Sequence, residues 1–498
     1  MADVTAWQRT SPLAALFYLG KVYQAIARNA FQSLAPLAAF VVAYKGDPLQ
    51  SLLVGGGLFV AVTFVLAFLN YWFFRYRILE HSILIRQGVL KKKQLDIKFD
   101  RVQALSTEQN VVYRFFNLLT VTFDTAGSSG QEGYLPAVRP EVSTALAACI
   151  RRTSAAAGAE VGRTQKPEPL VRLDIGDMVR IGLSSGRVFL LLLLLGPLGE
   201  YVSEKYGERL EETAVIETLG AIQIGFAAGI AFAAVVAFVV VLVLAGVSIT
   251  AALLRYHRFE LFADDEVLRS TGGLLTRHEN SVHRTKVQSL HVTQNVMLRF
   301  FGRFRLGARQ ASSGKASAGY SFVVPLCRRE ELTKLSDEFF PREFAGLALD
   351  PRSPSFMHIS PWYLRSRILL AGVLPAAGSL LLLWRTEGAV ALLALLWIPL
   401  AALGVLQVYR RYGFMCRKDG MAFRSGFTGF RVVAWLHRKV QRVTVTQSPF
   451  QRRKHLATVR LHLAAGPAVK IPFLEYDTAA ALRDYVLWRV ESSQRAWH

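Results

Sequence analysis

The sequence predicts an α+β membrane protein in which three helical hairpins alternate with three β-rich modules. Two observations predict this class: six long apolar segments occur in pairs, and a short motif recurs once after each pair. Hydrophobic residues make up 52% of the 498 residues, and the mean hydropathy of +0.29 is high for a soluble chain. Internal repeats set the number of structural units.

The recurring motif is a basic residue followed by Val-Gln, with a second Gln six positions after the first. Its copies begin at Arg101, Lys286 and Lys439, and the first two continue into an Arg-Phe-Phe sequence that the third lacks. Upstream, each copy has an Arg followed by a Gly-containing turn and, further back, an Arg-Tyr pair that closes an apolar run. The repeating unit is therefore an apolar hairpin plus a β-rich module, and we expect the divergent third module to differ in partner or role.

The six apolar segments have the composition of membrane-spanning helices, because about 20 apolar residues cross a bilayer. Short polar turns at 45–48 and 385–388 make the first and third pairs predicted hairpins. A short helix is expected ahead of these two pairs, where Ser11-Pro12 and Ser360-Pro361 are helix-start signals. The predicted spans are 29–44, 51–74, 184–202, 221–254, 367–384 and 389–409.

The distribution of charge predicts the orientation of the chain. The connection within the second pair is rich in Glu, whereas Lys and Arg accumulate between the pairs and contribute to a net charge of +23. Because cytoplasmic loops carry an excess of Lys and Arg, both termini and all three modules are predicted to be cytoplasmic. The first thirty residues show no secretory signal pattern.

Alternating apolar and polar residues predict short strands in each module. In the clearest case, 458–463, every second residue is apolar, and Gly466-Pro467 then turns the chain into a partner strand at 469–473. Each module ends in a helical pattern, so a small barrel or sandwich closed by one helix is indicated. The predicted organisation is an N-terminal segment with hairpin 1 (1–74), module 1 (75–152), a linker (153–183), hairpin 2 (184–254), module 2 (255–342), a linker (343–366), hairpin 3 (367–409) and module 3 (410–492).

The order of these features resembles the bacterial pleckstrin-homology-like (PH-like) membrane proteins of the YdbT type. The shared features are a membrane hairpin, an Arg-Tyr boundary, strands joined by an Arg-x-Gly-type turn, and the basic-Val-Gln segment, all repeated over nearly the whole chain. The resemblance implies a PH-like fold for each module, meaning a partly open β-barrel with a C-terminal helix. It also implies a multi-pass protein of the bacterial inner membrane and brings no catalytic residues.

The sequence contains no recognisable motif for catalysis, cofactor binding or metal binding. The segment Ser313-Gly314-Lys315 lacks the earlier Gly and the following hydroxyl residue of a phosphate-binding loop. The three cysteines lie far apart, and neither a histidine-based metal motif nor a nucleophile elbow occurs. We therefore expect a protein that is not an enzyme and has no cofactor. Nucleic-acid binding is not expected, because the basic residues follow the membrane boundary.

The recurring motif supplies six candidate binding residues. The basic members could face anionic headgroups or an acidic partner, where a juxtamembrane cation contributes about 1 kcal/mol. They could equally set the topology and lie on solvated strand faces, and the glutamines could serve as hydrogen-bonding groups within the fold. The candidates are Arg101, Gln103, Lys286, Gln288, Lys439 and Gln441.

These observations favour a membrane scaffold whose three modules bind protein partners or anionic lipid headgroups. The expected partners are the bilayer itself and a protein at the membrane, and three tethered modules would let weak contacts add up. A role in envelope stress or antimicrobial resistance fits this reading. The alternative is a transporter or exporter of a lipid-like or peptide substrate through the six-helix bundle, although the predicted spans carry no charge at their centres.

Overall fold

The membrane-spanning part of the protein contains four helices that are long and apolar enough to cross a bilayer, among the residues described. The computed structural model describes residues 7–28, 48–89, 92–125, 133–155, 168–185, 226–263, 267–310, 320, 322–339 and 349–492. The four helices match the predicted spans 51–74, 221–254, 367–384 and 389–409, whereas 29–44 and nearly all of 184–202 lie outside the described residues. The spanning stretches are Val54–Phe73, Phe238–Tyr256, Trp362–Thr386 and Gly388–Arg411.

The first module follows its spanning helix directly and consists of two antiparallel groups of three strands. Alternate residues of the second strand, Ile83 and Ile85, are fully buried, as expected for a pleated strand with one face on a core. The elements are α1 (Ala14–Arg28), α2 (Pro48–Phe73), β1 (Arg75–Ile78), β2 (Ser82–Gln87), β3 (Lys93–Lys98), β4 (Val102–Gln109), α3 (Val111–Phe115), β5 (Leu119–Thr125), β6 (Gly133–Val138) and α4 (Pro140–Ala155).

The second module repeats this order after a long apolar helix. A 3₁₀ turn, Arg284–Lys286, connects its third and fourth strands, in the position that Phe99–Arg101 has in the first module. The elements are β7 (Val171–Arg172), α5 (Ile175–Leu183), α6 (Phe226–Tyr256), β8 (Glu260–Ala263), β9 (Val267–Gly272), β10 (Arg277–His283), β11 (Val287–Gln294), α7 (Val296–Phe300), β12 (Phe304–Gln310), β13 (Phe322–Cys327) and α8 (Arg329–Phe339).

The third module has the same order again. Its last helix has Glu475 as N-cap, and Asp477 lies in the first turn, where its carboxylate interacts favourably with the helix dipole. The elements are α9 (Trp362–Ile368), a π-helical turn (Leu369–Val373), α10 (Leu374–Glu387), a 3₁₀ helix (Gly388–Leu396), α11 (Trp397–Arg411), β14 (Gly413–Cys416), β15 (Gly420–Ser425), β16 (Phe430–Leu436), β17 (Val440–Thr446), α12 (Pro449–Arg453), β18 (Leu456–Leu463), β19 (Val469–Glu475) and α13 (Tyr476–Glu491).

The sheets run across module boundaries. Strand β10 of the second module pairs antiparallel with β4 of the first, which gives a seven-stranded sheet β6-β5-β4-β10-β9-β8-β7. In the same way β16 pairs with β11, which gives a six-stranded sheet β13-β12-β11-β16-β15-β14. We call β4·β10 the first joint and β11·β16 the second joint. Three-stranded sheets, β1-β2-β3 and β17-β18-β19, remain at the two ends.

The prediction that each module forms a PH-like β-barrel is not confirmed, because the described strands form these four open sheets. The physical reason is that β4 and β11 each form hydrogen bonds with a strand of the next module, β10 and β16 respectively. The coarser prediction is confirmed: the protein is α+β, with antiparallel sheets in a threefold repeat and apolar helices between them.

The described residues form three hydrophobic cores, which follow the repeat. One core lies within the first module and includes Tyr18 of α1, and another lies within the third module. The central core belongs to the second module but also contains Val432 and Ala434 of β16. The second joint is therefore built into a hydrophobic core.

The segment that precedes each membrane pair is anchored to the module that follows it. Backbone pairs join Gln8 to Tyr76, Val171 to Leu261, and Met357 to Phe414. Each anchored segment leads into a short helix, as the start signals at Ser11 and Ser360 predict; the amides of Ala14 and Tyr363 donate to these two serine carbonyls. The module, the entry to the membrane pair and the spanning helices thus form one connected unit.

Candidate functional site

The second Gln of each motif closes a loop around a short helix. Its side-chain amide donates to the backbone carbonyl nine residues further along the chain, and the same bond recurs in all three modules. The loop is thereby held in one shape, so these glutamines act within the fold. The bonds are Gln109 to Leu118 (2.9 Å), Gln294 to Arg303 (3.0 Å) and Gln447 to Leu456 (2.9 Å).

The residue after that Gln caps the short helix, because its side-chain oxygen accepts an amide hydrogen bond from the first turn. Asn110 and Asn295 accept from amides at 2.7 Å, and Ser448 of the third module accepts from Gln451 at 3.2 Å. The replacement of Asn by Ser therefore preserves the cap. What changes in the third module is the exposed surface of the helix.

The short helices of the first two modules expose large apolar side chains to the surroundings. Phe115 of α3 is 86% exposed, and Phe300 of α7 is 82% exposed. Such exposure is unfavourable in water, since a fully buried Phe gains about 1.5–3 kcal/mol relative to an exposed one. In the third module Arg453 takes the place of the exposed Phe, and Phe450 is the apolar residue on that helix.

A turn from the next module lies beside each of these helices. The turn between β9 and β10 ends opposite Gln109, and the turn between β15 and β16 ends opposite Gln294, because of the pairing at the two joints. Both turns carry exposed apolar residues. We call the combined surface the apolar rim; it comprises Val111, Val112, Phe115, Phe116, Leu274 and Leu275 at the first joint and Val296, Phe300 and Phe427 at the second.

The turns reach the spanning helices. The amide of Leu274 donates to the carbonyl of Leu254, near the end of α6, at 2.8 Å. At the second joint the ring of Phe427 lies against α11, since a methyl group added at Gly404 would be 3.6 Å from it. Gly404 lies within a spanning stretch. The apolar rim therefore lies against the ends of the spanning stretches that lead into the modules.

Cations accompany the rim. The guanidinium groups of Arg299 and Arg411 lie 5.7 and 5.0 Å from the ring of Phe430, and Arg114 lies in the first-module helix. Arg411 also donates to the carbonyls of Phe427 and Gly429, which ties the turn to the end of α11. Apolar side chains beside Arg and Lys are the composition of a surface that lies in the headgroup region of a bilayer.

The turns depend on glycine at one equivalent position in each module. Gly88, Gly273 and Gly426 have φ of 104°, 112° and 148°, a region that residues with a side chain rarely adopt. These are the glycines of the predicted Arg-to-Gly turns. Glycine recurs in these turns because the backbone needs a positive φ at that position.

A cavity of about 860 Å³ lies between the first joint, α5 and α6. Its polar wall includes Glu108, His278 and Arg305, while Leu244 and Val247 of the spanning stretch line the other side. The Nδ1 atom of His278 and the Oε1 atom of Glu108 lie 3.3 Å apart across the first joint, and the hydrogen bond from His278 lowers the pKa of Glu108. The cavity combines charged groups with an apolar wall, as binding of an amphiphilic molecule would require.

The six candidate residues do not gather at one site. Lys286 donates to the carbonyl of Asp100 at 3.4 Å, and Lys439 donates to the carbonyl of Thr285 at 2.8 Å. Both lysines thus contact the equivalent residue of the preceding module. Lys439 is 1% exposed, whereas Arg101, the first-module equivalent, is exposed.

The first glutamines of the motif differ from one another. Gln288 is buried and donates weakly to the carbonyl of Lys286 at 3.4 Å, whereas Gln441 is exposed on β17. Gln103 lies on β4, and its side chain is outside what the structure describes. A ligand-binding role for the six residues stays a prediction.

The sequence reasoning missed the apolar rim and the two joints. A signal for the rim was present, because the Arg-Phe-Phe sequence recurs at 114–116 and 299–301 beside the membrane boundary. No comparable signal marks the joints. Among the described residues no group of His, Cys, Asp and Glu side chains could hold a metal ion. The segment Ser313-Gly314-Lys315 lies outside the described residues.

Comparison with known proteins agrees with this architecture. The model of the bacterial PH domain family matches three times, at residues 15–154, 188–339 and 367–490. The chain is also similar to the UPF0699 transmembrane protein YdbT of Bacillus subtilis (strain 168), with 21% identity over 396 residues that cover 78% of each chain. No solved structure matches significantly.

Proposed function

The chain belongs to the bacterial PH domain family, and we propose that it is a non-enzymatic scaffold which docks on anionic lipid headgroups of the membrane it spans. The membrane is its first partner, and protein segments recruited to the modules are its second. We place the modules on the cytoplasmic face of the inner membrane, because Lys and Arg concentrate in them. A role in envelope stress or antimicrobial resistance fits this arrangement.

One observation carries the proposal: the apolar rim with its cations lies at the ends of the spanning helices. Phe300 and Phe115 are the most exposed phenylalanines among the described residues, and each lies on a helix that also carries an Arg. Insertion of such rings into the headgroup region removes them from water. Each exposed cation on these helices, Arg114 or Arg299, adds about 1 kcal/mol to this binding when the leaflet is anionic.

The test uses the full chain in nanodiscs, because the shared sheets give no reason to expect an isolated module to fold. Its three cysteines are replaced by Ser or Ala, and Phe300→Cys then carries an NBD fluorophore. We expect quenching of the fluorophore by doxyl-labelled lipid and a blue shift of its emission. The shift should be larger in discs that contain phosphatidylglycerol than in phosphatidylcholine discs, and Arg299→Glu should remove the difference.

A matched control is the fluorophore at Trp488→Cys on α13. Trp488 is also exposed (57%), but its helix contacts Lys418 at the opposite end of β15 from Phe427, roughly 20 Å away by strand rise. That label should be quenched by aqueous iodide and not by lipid. Quenching of the residue-300 label by iodide alone would refute docking on the bilayer, and equal shifts in both disc types would refute a role for anionic headgroups.

A second candidate function is the handling of a lipid-like or peptide substrate, and the cavity beside α6 favours it. The cavity has room for part of an amphiphile, with Arg255 and Arg305 available to a negative headgroup and Leu244 and Val247 beside an acyl chain. Mass spectrometry of the full chain, extracted with native lipids, should then detect a bound amphiphile. Ala251→Trp, which fills the cavity, should release it, whereas Ala245→Trp on the same helix should not.

A further inference from the structure

The two joints inside the chain share one pairing rule. At the first joint Arg277 lies opposite Gln109, and at the second Phe430 lies opposite Gln294. Arg277 and Phe430 each lie nine positions before the motif lysine of their own module. Each pairs with the second Gln of the preceding module. The remaining residues of each strand pair follow without a register shift, so the two joints have the same register relative to the motif.

The ends of the array leave one strand of each kind with an open edge. Strand β3 is the first-module equivalent of β10 and β16, and it pairs with β2 alone among the described strands. Strand β17 is the third-module equivalent of β4 and β11, and within the described residues it pairs with β18 alone. An open edge presents unpaired amide and carbonyl groups that another strand can satisfy.

From these two facts we propose that a second copy of this chain docks head to tail, with β17 of one copy pairing antiparallel to β3 of the next. The rule of the internal joints fixes the register: Lys93 lies opposite Thr446, Leu95 opposite Thr444, and Ile97 opposite Arg442. The pairing adds a strand at an exposed sheet edge, a recognised mode of protein association.

The motif cations support the same assignment. Lys286 and Lys439 each bond to a carbonyl of the preceding module, and the acceptors Asp100 and Thr285 stand at equivalent positions. Arg101 occupies the first-module position and is exposed. In the proposed contact the guanidinium of Arg101 reaches the carbonyl of Arg438 in the neighbouring copy, which is the third such acceptor position.

The charges on β3 do not oppose this pairing. Lys93, Asp96 and Lys98 are residue types that often keep edge strands apart. Strand β10, however, begins Arg277-His278-Glu279 and is nevertheless paired along its length at the first joint. Equivalent charges are therefore compatible with a joint in this protein.

The membrane makes a second copy the most accessible occupant. Spanning helices tie every module to the bilayer, so two copies meet side by side in the same orientation. A head-to-tail contact is heterologous, and it generates a ring when the rotation between copies closes. A closed ring would leave no open edge.

Disulfide crosslinking in native membranes tests the contact. Two differently tagged copies of the cysteine-free chain are co-expressed, one with Lys93→Cys and the other with Thr446→Cys. Residues directly opposite each other in antiparallel strands have Cβ atoms about 4.5–5.5 Å apart, close to disulfide geometry. After mild oxidation we expect a covalent adduct that carries both tags, and Arg101→Ala should lower its yield.

The matched control moves one cysteine along the same strand. Arg442→Cys replaces Thr446→Cys, which puts the two sulfurs roughly 14 Å apart in the proposed register. Crosslinking of the on-register pair alone supports the proposal. Equal yields from both pairs would overturn the register, and the absence of a two-tag adduct, with both variants present in the membrane, would overturn the contact itself.

Discussion

The two joints have the same topology but different chemistry. The first joint is polar: β10 carries charged residues, Ser281 donates to the carbonyl of Leu105 at 2.8 Å, and His278 pairs with Glu108. The second joint is apolar: β11 is buried along most of its length, and Val432 and Ala434 of β16 lie in the core of the second module. The motif lysines differ in the same way: Lys286, at the polar first joint, is partly exposed, and Lys439, at the apolar second joint, is buried.

One strand-pairing rule can therefore produce joints of different strength. Backbone hydrogen bonds fix the register at both joints, while burial decides how much energy holds each joint together. We infer that modules two and three behave as a single body, and that the first joint is the softer connection. Three experiments test the contrast between the two joints.

The largest effect is expected from Gly429→Ala at the second joint. An added Cβ would lie 2.1 Å from the carbonyl oxygen of Gln294, so the backbone of β11 or of the turn has to move. We expect a loss of about 3 kcal/mol in the free energy of unfolding, as for severe overpacking. Hydrogen exchange should show reduced protection of β16 with little change at β4 and β10.

Gly378→Ala is the matched control, because a Cβ at that helical position meets no atom within 4 Å. If Gly429→Ala left the protection of β16 at the wild-type level, the close packing of the second joint would be wrong.

The second largest effect is expected from replacing the motif lysines, and it should differ between Lys439 and Lys286. Lys439→Met keeps most of the side-chain volume but removes the hydrogen bond that the ammonium group of this buried residue donates to the carbonyl of Thr285, and the loss of a hydrogen bond from a charged group should cost about 2 kcal/mol. Lys286→Met should cost less than about 1 kcal/mol, because water can replace the longer bond to Asp100. Denaturation of both variants in the same detergent measures the difference, and equal losses would contradict the contrast between the joints.

The smallest effect is expected when the pH is lowered. His291 lies on β11 opposite Val433, where burial and the nearby Arg309 and Arg431 lower its pKa to about 3. Between that value and the ordinary pKa of 6.5 the unfolded chain binds a proton that the folded chain does not, so stability falls as the pH falls below 6.5. At pH 5.5 we expect a loss of about 1.4 kcal/mol from this residue.

His291→Gln should remove the contribution of this residue to the loss of folding free energy between pH 7.5 and 5.5. His462→Gln on β18 serves as the control. Burial also lowers the pKa of His283 and His437, so part of the pH dependence remains in both variants. An unchanged pH dependence in His291→Gln would show that this side chain is not held neutral in the folded protein.

Local patterns in the sequence predicted the repeating parts of the fold. The apolar runs, the alternation at 458–463 and the turn glycines each act over a few residues, so the helices, strands and turns followed from them. Lys439 illustrates the limit. Its partner Thr285 lies 154 residues away, and nothing near either residue indicates the contact. The joints depend on such long-range pairing, and a threefold repeat offers several equivalent strands among which sequence alone cannot choose.

The candidate site was predictable in part for the same reason. The second Gln and the Asn after it lie within ten residues of the groups they bond, and Phe115 and Phe300 are visible as a repeated sequence. The position of Leu274 beside α3 is different, because it follows from the first joint. The two apolar helix sequences of the rim could therefore be recognised, but the turns that the joints place beside them could not.

The sharing of sheets between modules has a consequence for synthesis on the ribosome. Ser281 and Leu105, which meet at the first joint, are separated by 176 residues. A nascent chain released only as far as the second hairpin therefore presents β4 with a bare edge, while its spanning helices are already being inserted. The growing polypeptide must keep that edge from adventitious pairing until β10 emerges, which makes the interval before the second module appears the hazardous stage of biogenesis.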